Sequence, residues 1–426
     1  MTAWPLAGPR VVPADRLPPQ PPPRRVKVLH VITRFWAGAG GNTLLSATGM
    51  DPERYETWVA GCPGGELWER ARAAGVRTVE LDGFSEVISP RADVRVLWDL
   101  YRLARREQFT VVHTHSAKGG FLGRLAARAA GTPVVVHTFH GFSVNDGAPL
   151  PARLLYGGLE RLVRSFTHGF AAVSPLVARE AVERHLAPPG TVAVVPSAVE
   201  LEGIPSSGRP ELRVRLGIPL SAQLVGTVGR IDHQKAPLDF VRVAAAVARQ
   251  RPGTRFVMVG DGPLRDAVET HARAAGVDVL LTGHRTDAAQ LASCFDVFLI
   301  PSLYEGLGRA LTEALASGRP VVATAVNGVP DLVEAGITGL LAPPRDVAAL
   351  AECVVWLLDH PQEAEQLGRQ GQLRARAGFS QRDMCVELDA LYSRLLCLPV
   401  LRADPESDPR PPASPLPTQP REAVTC

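Results

Sequence analysis

The 426-residue chain has few of the features that mark secreted, membrane-spanning or nucleic-acid-binding proteins. Its six cysteines are scattered without a C-x-x-C pair, and no His or Cys spacing suggests structural zinc, which indicates reduced thiols. No run approaches the ~18 apolar residues of a transmembrane helix. The first residues lack the apolar core of a signal peptide. A formal net charge of +3 is too small to favour nucleic acid. We therefore expect a cytoplasmic protein without a metal site or a nucleic-acid partner.

Length and composition indicate a globular protein of two domains. The apolar fraction of 46% and the charged fraction of 21% are ordinary for a folded, soluble chain. A chain of 426 residues is longer than one hydrophobic core normally serves. Residues 1–24 and 401–426 are rich in proline and lack periodic apolar positions, which predicts disordered tails.

Between the tails, strand patterns alternate with helical patterns, which is typical of βαβ units and parallel sheets. A Pro/Ser/Gly-rich stretch near residues 200–215 separates two such series. We predict an α/β fold of two Rossmann-like, doubly wound domains that face each other across a cleft, over residues 25–205 and 206–380. A helix is predicted near 381–396, within a terminal segment 381–400.

The segment 305–320 carries the strongest functional signal. It joins two apolar strand patterns through a turn and a helix whose first turn contains Gly306 and Gly308. Such a unit aims backbone N–H groups at one point, where the helix dipole favours an anion. Glu305 and Glu313 are eight residues apart, a little over two helical turns, so both can face one cleft. A phosphate site flanked by two carboxylates suits a nucleotide-sugar. Taken alone, the segment also fits a βαβ unit with two solvated glutamates.

Three further strand patterns in this half end in glycine and charged residues. Ligands of open parallel sheets bind outside the carboxyl ends of the strands. Arginine grips phosphate oxygens in bidentate fashion, and lysine adds a compact charge. Together these strand ends favour a binding site over solvated loops. The residues concerned are Gly229, Arg230, Lys235, Gly260, Gly262, Gly283 and Arg285.

These motifs resemble the donor half of a family-4 retaining glycosyltransferase with the two-domain GT-B fold. The match consists of Gly-Arg…Lys at 229–235, Gly-Asp-Gly-Pro at 260–263 and E-x7-E at 305–313. The resemblance covers roughly residues 26–396. The family pattern has Lys-Gly where this chain has Lys235-Ala236-Pro237, a change that proline at a helix start tolerates.

The resemblance implies transfer of a sugar from a nucleoside diphosphate sugar, with uridine the commonest base, without a metal or a cofactor. Glu305 would then hold sugar hydroxyls and Glu313 the nucleotide ribose. Arg230, Lys235 and the backbone of Gly306, Leu307 and Gly308 would stabilise the departing diphosphate. Gly283 and Arg285 would lie near the nucleobase. The terminal helix would pack back on the first domain.

The first half supplies a Gly-rich turn after its first strand pattern, containing Gly38, Gly40 and Gly41. In the family, the corresponding loop approaches the donor diphosphate and the acceptor. A flexible βα turn remains an open alternative for each individual glycine.

Histidines are concentrated at two adjacent strand ends in the same half. His140 is similar to the family histidine that reaches the transferred sugar. His115 and Lys118 are candidates for acceptor contacts, whereas His113 and His137 are expected in the core. The surrounding segment resembles bacterial enzymes that build surface polysaccharide or glycolipid, which suggests a glycan or lipid-linked acceptor.

A basic amphipathic stretch at 153–164 fits either peripheral contact with the inner membrane face or a solvated helix face.

Two other functions remain open: a nucleotide-sugar epimerase on the same fold, and a non-catalytic sugar-nucleotide-binding protein. The epimerase would act without an acceptor. The binding protein would be expected to have lost some of Arg230, Lys235, Glu305 and Glu313, and all four are present.

Overall fold

The computed structural model describes residues 25–142, 150–206, 208 and 210–398. The tails predicted at 1–24 and 401–426 lie outside these residues. None of the described helices combines the length and the apolar character that a membrane span requires.

The N-terminal domain alternates strands and helices along the whole of its length. In chain order its elements are β1 (Val26–Val31), α1 (Ala37–Gly49), β2 (Tyr55–Gly61), α2 (Glu66–Ala73), β3 (Arg77–Glu80), α3 (Pro90–Glu107), β4 (Val111–His115), α4 (Ala117–Ala130), β5 (Val134–Phe139), α5 (Leu150–Arg164), β6 (Gly169–Ala172), α6 (Pro175–Glu183) and β7 (Val192–Val194).

The C-terminal domain follows the same plan and ends in three long helices. Its elements are α7 (Pro210–Arg215), β8 (Leu224–Val228), α8 (Pro237–Gln250), β9 (Arg255–Val259), α9 (Arg265–Ala275), β10 (Val279–Leu281), α10 (Ala288–Ala292), β11 (Val297–Ile300), α11 (Arg309–Ala316), β12 (Val321–Thr324), α12 (Val329–Leu332), β13 (Leu340–Ala342), α13 (Val347–Asp359), α14 (Pro361–Gly378) and α15 (Gln381–Leu396).

Both domains are built on parallel sheets. The first sheet has the strand order β3-β2-β1-β4-β5-β6-β7, and the second has the order β10-β9-β8-β11-β12-β13. The central strands are almost entirely buried because helices cover both faces of each sheet. The predicted α/β fold class is therefore confirmed. The edge strand β13 was not predicted, since three residues are too short to give a periodic signal.

The chain crosses between the two domains at two adjacent places. The Val199 amide donates to the Phe379 carbonyl at 3.1 Å, and Val199 forms a β-bridge with Ser380. The two chain segments that connect the domains therefore lie side by side. Any relative motion of the domains has to bend both segments at this position.

After the second crossing, α15 packs on α1 and β7 of the N-terminal domain. Asp389 anchors it, since its carboxylate pairs with Arg54 at 3.1 Å and accepts a hydrogen bond from the Tyr55 hydroxyl at 2.7 Å. One turn further on, the Tyr392 hydroxyl lies 2.6 Å from His113 Nδ1. A buried polar group is stabilising only when its partners are present, so these contacts fix the position of the helix.

Replacing Asp389 with Ala is expected to lower the free energy of unfolding by about 1–3 kcal/mol, because Arg54 and Tyr55 lose their acceptor. Glu387→Ala, on an exposed position of the same helix, is the matched control and should change it by less than about 0.5 kcal/mol. Urea unfolding measures both variants. Equal effects would show that Asp389 does not anchor α15.

Candidate active site

The carboxyl ends of the two sheets meet where the segment after β5 touches the segment after β11. A Cβ atom placed on Gly306 would lie 2.0 Å from the His140 carbonyl oxygen, and one on Gly141 would lie 3.3 Å from the Gly306 nitrogen. Beside this contact, the Leu176 amide donates to the Asp331 carboxylate at 2.7 Å. The two domains therefore touch at a position where only a glycine fits.

An apolar cluster continues this contact across the domain interface. Phe139, Val173 and Val177 of the N-terminal domain belong to the same buried cluster as Leu307 and Leu311 of the C-terminal domain. Burial of shared apolar surface stabilises the approach of the domains. The Gly-rich turn that carries Leu307 is therefore a packing element as well as a candidate binding element.

At this edge the buried Glu305 pairs with the partly buried Lys235. Lys235 Nζ contacts Glu305 Oε1, and the Ser302 hydroxyl donates to the same oxygen at 2.7 Å. The Glu305 side chain is 4% exposed. A buried carboxylate is costly unless it is paired and hydrogen-bonded. The backbone is held too, since the Glu305 amide donates to Asn327 Oδ1 at 3.0 Å.

The loop after β8 presents the other predicted cation. Arg230 is half exposed and donates from Nε to Asp232 at 2.8 Å. With Gly229 and Lys235 it lines a small pocket at the end of β8. Gly260 closes the back of this loop, because a Cβ atom there would lie 1.9 Å from the Gly229 carbonyl oxygen. Arg230 and Lys235 therefore share one pocket.

The remaining predicted residues of the donor half pack around this loop. Gly283 forms an antiparallel β-bridge with Gly260, and Gly262 lies against the Ile231 backbone. Arg285 makes two hydrogen bonds to Asp287, at 2.6 and 2.7 Å, which lower the pKa of that carboxyl. The two side chains therefore form a bidentate guanidinium–carboxylate pair.

Glu313 lies one turn into α11 and pairs with Arg309, whose Nε donates to it at 3.1 Å. Burial raises the pKa of Glu313, and the Arg309 charge opposes the rise. Arg309 Nη1 is buried, and no hydrogen-bond partner for it is found among the described residues. It lies 2.2 Å from where a Cβ atom of Gly41 would be. Sequence reasoning missed Arg309, although its i,i+4 spacing to Glu313 was a readable signal.

Gly38, Gly40 and Gly41 do not form the predicted turn. The helix α1 begins at Ala37, so all three glycines lie in its first turns. The cost of glycine in a helix is about 1 kcal/mol each, which packing offsets. The missing side chain at Gly41 leaves the space that Arg309 occupies.

A chain of hydrogen-bonded histidines leads from the core to the cleft. His115 Nδ1 lies 2.9 Å from His140 Nε2, and His115 Nε2 lies 3.0 Å from His30 Nδ1. His30 Nε2 is buried without a partner among the described residues. A buried N–H without an acceptor costs more than a bare lone pair. We therefore assign the His30 proton to Nδ1. With this assignment His30 Nδ1 donates to His115 Nε2, and His115 Nδ1 donates to His140 Nε2. The N–H group of His140 is then at Nδ1.

Burial keeps these rings neutral at pH 7. It lowers the pKa of His30 to about 3 and that of His140 to about 4, and it lowers the pKa of His115. A neutral imidazole offers a hydrogen-bond donor without a charge. His140 is partly exposed, so this donor is available to a ligand.

The nitrogens of His30, His113 and His115 lie within 4.8 Å of one another, as metal ligands would. Five of their six ring nitrogens already form hydrogen bonds, including those of His113 to Tyr392 and Thr138. We therefore interpret the group as a hydrogen-bond chain.

The two residues predicted to contact an acceptor lie elsewhere than expected. His115 is 1% exposed and sits behind His140, because β4 is buried along its whole length. Lys118 donates to the Val87 carbonyl at 2.6 Å and pairs with Asp93. Both side chains are thus engaged within the domain. His113 and His137 lie in the core, with exposures of 0% and 3%.

The structure has two parallel-sheet domains whose sheet ends meet beside the Lys235–Glu305 pair, and comparisons with known proteins identify the family. Residues 23–202 match the family described as "Glycosyltransferase Family 4", and residues 222–360 match "Glycosyl transferases group 1". The chain belongs to glycosyltransferase family 4 and is a retaining glycosyltransferase. The predicted enzyme class is confirmed.

Among curated relatives, the chain is 32% identical over 279 residues to an Escherichia coli UDP-Gal:alpha-D-GlcNAc-diphosphoundecaprenol alpha-1,3-galactosyltransferase, covering 64% of this chain and 72% of that protein. It is 30% identical over 312 residues to a D-inositol 3-phosphate glycosyltransferase of Arthrobacter, covering 69% and 74%.

Solved structures share the fold. Anabaena HepE in complex with UDP and glucose superposes with a TM-score of 0.76 at 18% identity, covering 87% of this chain and 100% of that chain. Sucrose-phosphate synthase from Thermosynechococcus elongatus gives 0.73 at 20% identity, covering 88% and 100%. The predicted GT-B fold is confirmed.

Lowering the pH is expected to destabilise the protein through the buried histidines. Their pKa values are depressed in the folded state, so between pH 6.5 and about 4 the unfolded chain binds more protons, and stability falls as pH falls. In His30→Gln, unfolding at pH 5 should take up about one proton fewer. Urea unfolding between pH 5 and 7 measures this proton uptake as the slope of the free energy of unfolding against pH. An unchanged slope would show that His30 is not a depressed, buried base.

Gly306→Ala is expected to open the domain contact, because its methyl group would collide with the His140 carbonyl. Such overpacking costs about 1–3 kcal/mol. Gly253→Ala is the matched control, since a Cβ atom there meets nothing within 4 Å. Thermal unfolding and small-angle scattering compare the two. A Gly306→Ala protein as compact and as stable as the control would contradict the contact.

Proposed function

We propose that this enzyme transfers a sugar from a UDP-sugar to a lipid-linked glycan acceptor. In this proposal residues 206–380 bind the donor and residues 25–205 bind the acceptor. The Escherichia coli relative is named for a UDP-sugar donor and a diphosphoundecaprenol-linked acceptor, and the HepE structure was solved with UDP. The observation that carries the proposal is the junction of Glu305 and Lys235 with His140 at the meeting of the two sheets.

The donor diphosphate is expected beside Lys235 and Arg230, which share the pocket at the end of β8. The backbone of Gly306, Leu307 and Gly308 leads into α11, whose N-terminal end favours negative charge. Arg309 adds a further cation, whose buried Nη1 has no hydrogen-bond partner among the described residues. These groups stabilise the charge that develops on the leaving diphosphate, and no cofactor is required.

The other predicted contacts follow from their places around the pocket. Glu305 would accept from the sugar hydroxyls once the diphosphate competes for Lys235. Glu313, 18% exposed at its side chain, would accept from the ribose. His140 would donate from Nδ1 to a sugar hydroxyl. The base would lie near Gly283 and Arg285.

The proposed transfer step requires no protein nucleophile. The bond from the anomeric carbon to the diphosphate oxygen breaks, and its electron pair leaves with UDP. The acceptor hydroxyl attacks the anomeric carbon from the same face, which retains the configuration. Its proton passes to the departing phosphate oxygen. Closure of the two domains would exclude water and so limit hydrolysis.

Thermal unfolding with UDP, GDP, ADP and dTDP in the presence of a chelator tests the donor site. We expect UDP to stabilise the wild type most. Glu313→Gln should weaken UDP binding at least about tenfold, because a charged acceptor contributes about 1.5–3 kcal/mol. Glu269→Gln is the matched control, since Glu269 also pairs with an arginine four residues before it, on α9. Equal UDP binding by the two variants would remove Glu313 from the donor site.

The acceptor is tested by incubating the enzyme with UDP-sugars and a polyprenyl-diphosphate-linked N-acetylhexosamine. We expect a product with one added sugar and a retained anomeric configuration. Conversion of the nucleotide-sugar to an epimer without acceptor would favour an epimerase. Transfer only to water-soluble glycans would contradict a lipid-linked acceptor.

A further inference from the structure

Large apolar side chains are exposed together around the start of α3. Val87 and Ile88 precede the helix and are 74% and 54% exposed, and Val94 and Trp98, one turn apart on it, are 67% and 57% exposed. Single exposed apolar residues are common, but a group of four within twelve positions marks an interaction surface. We call these residues, with the arginines described next, the α3 face.

Arginines flank the apolar residues on the same side of the helix. Arg91, Arg95 and Arg102 are exposed and follow the three- and four-residue spacing that places them beside Val94 and Trp98. In the part of the chain that the structure describes, no ion pair to these three arginines is recorded. Apolar and aromatic residues interleaved with arginine suit the boundary between the headgroups and acyl chains of an anionic bilayer.

The nearby acidic groups are engaged or lie at the edge of the face. Glu86 pairs with Arg34 at 2.8 Å, and Asp93 pairs with Lys118. Asp99 is only partly exposed on α3. The charge that the face presents outward is therefore mainly positive.

The α3 face adjoins the acceptor side of the cleft. Lys118, at the start of α4 just after β4, binds the Val87 carbonyl at 2.6 Å. Arg34, just after β1, binds Glu86, and its guanidinium lies 4.6 Å from the centre of the exposed Trp36 ring. The loop before α3 is thus tied to the carboxyl ends of two central strands, which form the N-terminal wall of the cleft.

The α5 stretch that the sequence suggested for membrane contact is less suited to it. Arg164 donates to the His185 carbonyl at 2.8 Å, and Arg161 donates to the Arg184 carbonyl at 3.4 Å. These cations serve contacts within the domain. Arg153 lies among side chains outside the described set.

We propose that the α3 face docks on an anionic lipid bilayer and holds the cleft beside an acceptor carried by that bilayer. The presentation of the acceptor rests on the proposed function, whereas the binding of the bilayer does not. Trp98, Val94, Val87 and Ile88 enter the headgroup boundary, and Arg91, Arg95 and Arg102 contact lipid phosphates.

Co-sedimentation of the full chain with vesicles tests the surface. We expect binding to vesicles of phosphatidylcholine with phosphatidylglycerol, weak binding to phosphatidylcholine alone, and a loss of binding at high salt. Arg91→Gln/Arg95→Gln should weaken binding about fivefold for each arginine. Val87→Ser/Trp98→Ser should weaken it at least as much. Val214→Ser/Leu220→Ser, at exposed apolar positions of the other domain, is the control and should bind as wild type does.

Brominated phosphatidylglycerol provides a second readout that does not depend on affinity. Trp98→Phe should still bind vesicles but lose most of the fluorescence quenching seen in wild type. A wild type without preference for anionic vesicles, undiminished binding by Val87→Ser/Trp98→Ser, or unchanged quenching in Trp98→Phe would each overturn the proposal. Stabilisation by UDP, measured on the same proteins without vesicles, reports separately on the donor site. If UDP did not stabilise proteins that still bind vesicles, the proposed function alone would be contradicted.

Discussion

The close approach of Gly306 to the His140 carbonyl is the contact on which the site depends. Each sheet by itself ends in loops with charged residues, which is common in parallel α/β domains. The contact brings the end of β11 against the end of β5, and the shared apolar cluster around Leu307 supports it. Gly306 therefore has to lack a side chain for a packing reason.

The charged groups of the site are paired with one another. Glu305 is neutralised by Lys235, Glu313 by Arg309, and the histidine chain stays uncharged because burial lowers the pKa of each ring. In the proposed function, a diphosphate bound beside Lys235 would replace Glu305 as the anionic partner of that lysine. Such a site needs little reorganisation when charge develops on the leaving group.

Local motifs predicted from the sequence were those whose meaning is set by neighbours along the chain, such as Glu305 before α11, Glu313 within α11 and Lys235 after β8. The sequence did not reveal His30, whose hydrogen bond to His115 joins residues 85 positions apart. It also gave no sign that Gly41 leaves space for Arg309 of the other domain. His115 was expected in the cleft because it ends a strand, but full burial of β4 turns it behind His140.

Hydrogen exchange of the full chain with and without UDP tests the central claim most directly. If the contact of Gly306 with His140 couples the two domains, UDP should slow exchange both at 304–313, in the donor half, and at 139–142, across the interface. Protection confined to the C-terminal domain would contradict the account, since the donor site would then form without the N-terminal wall.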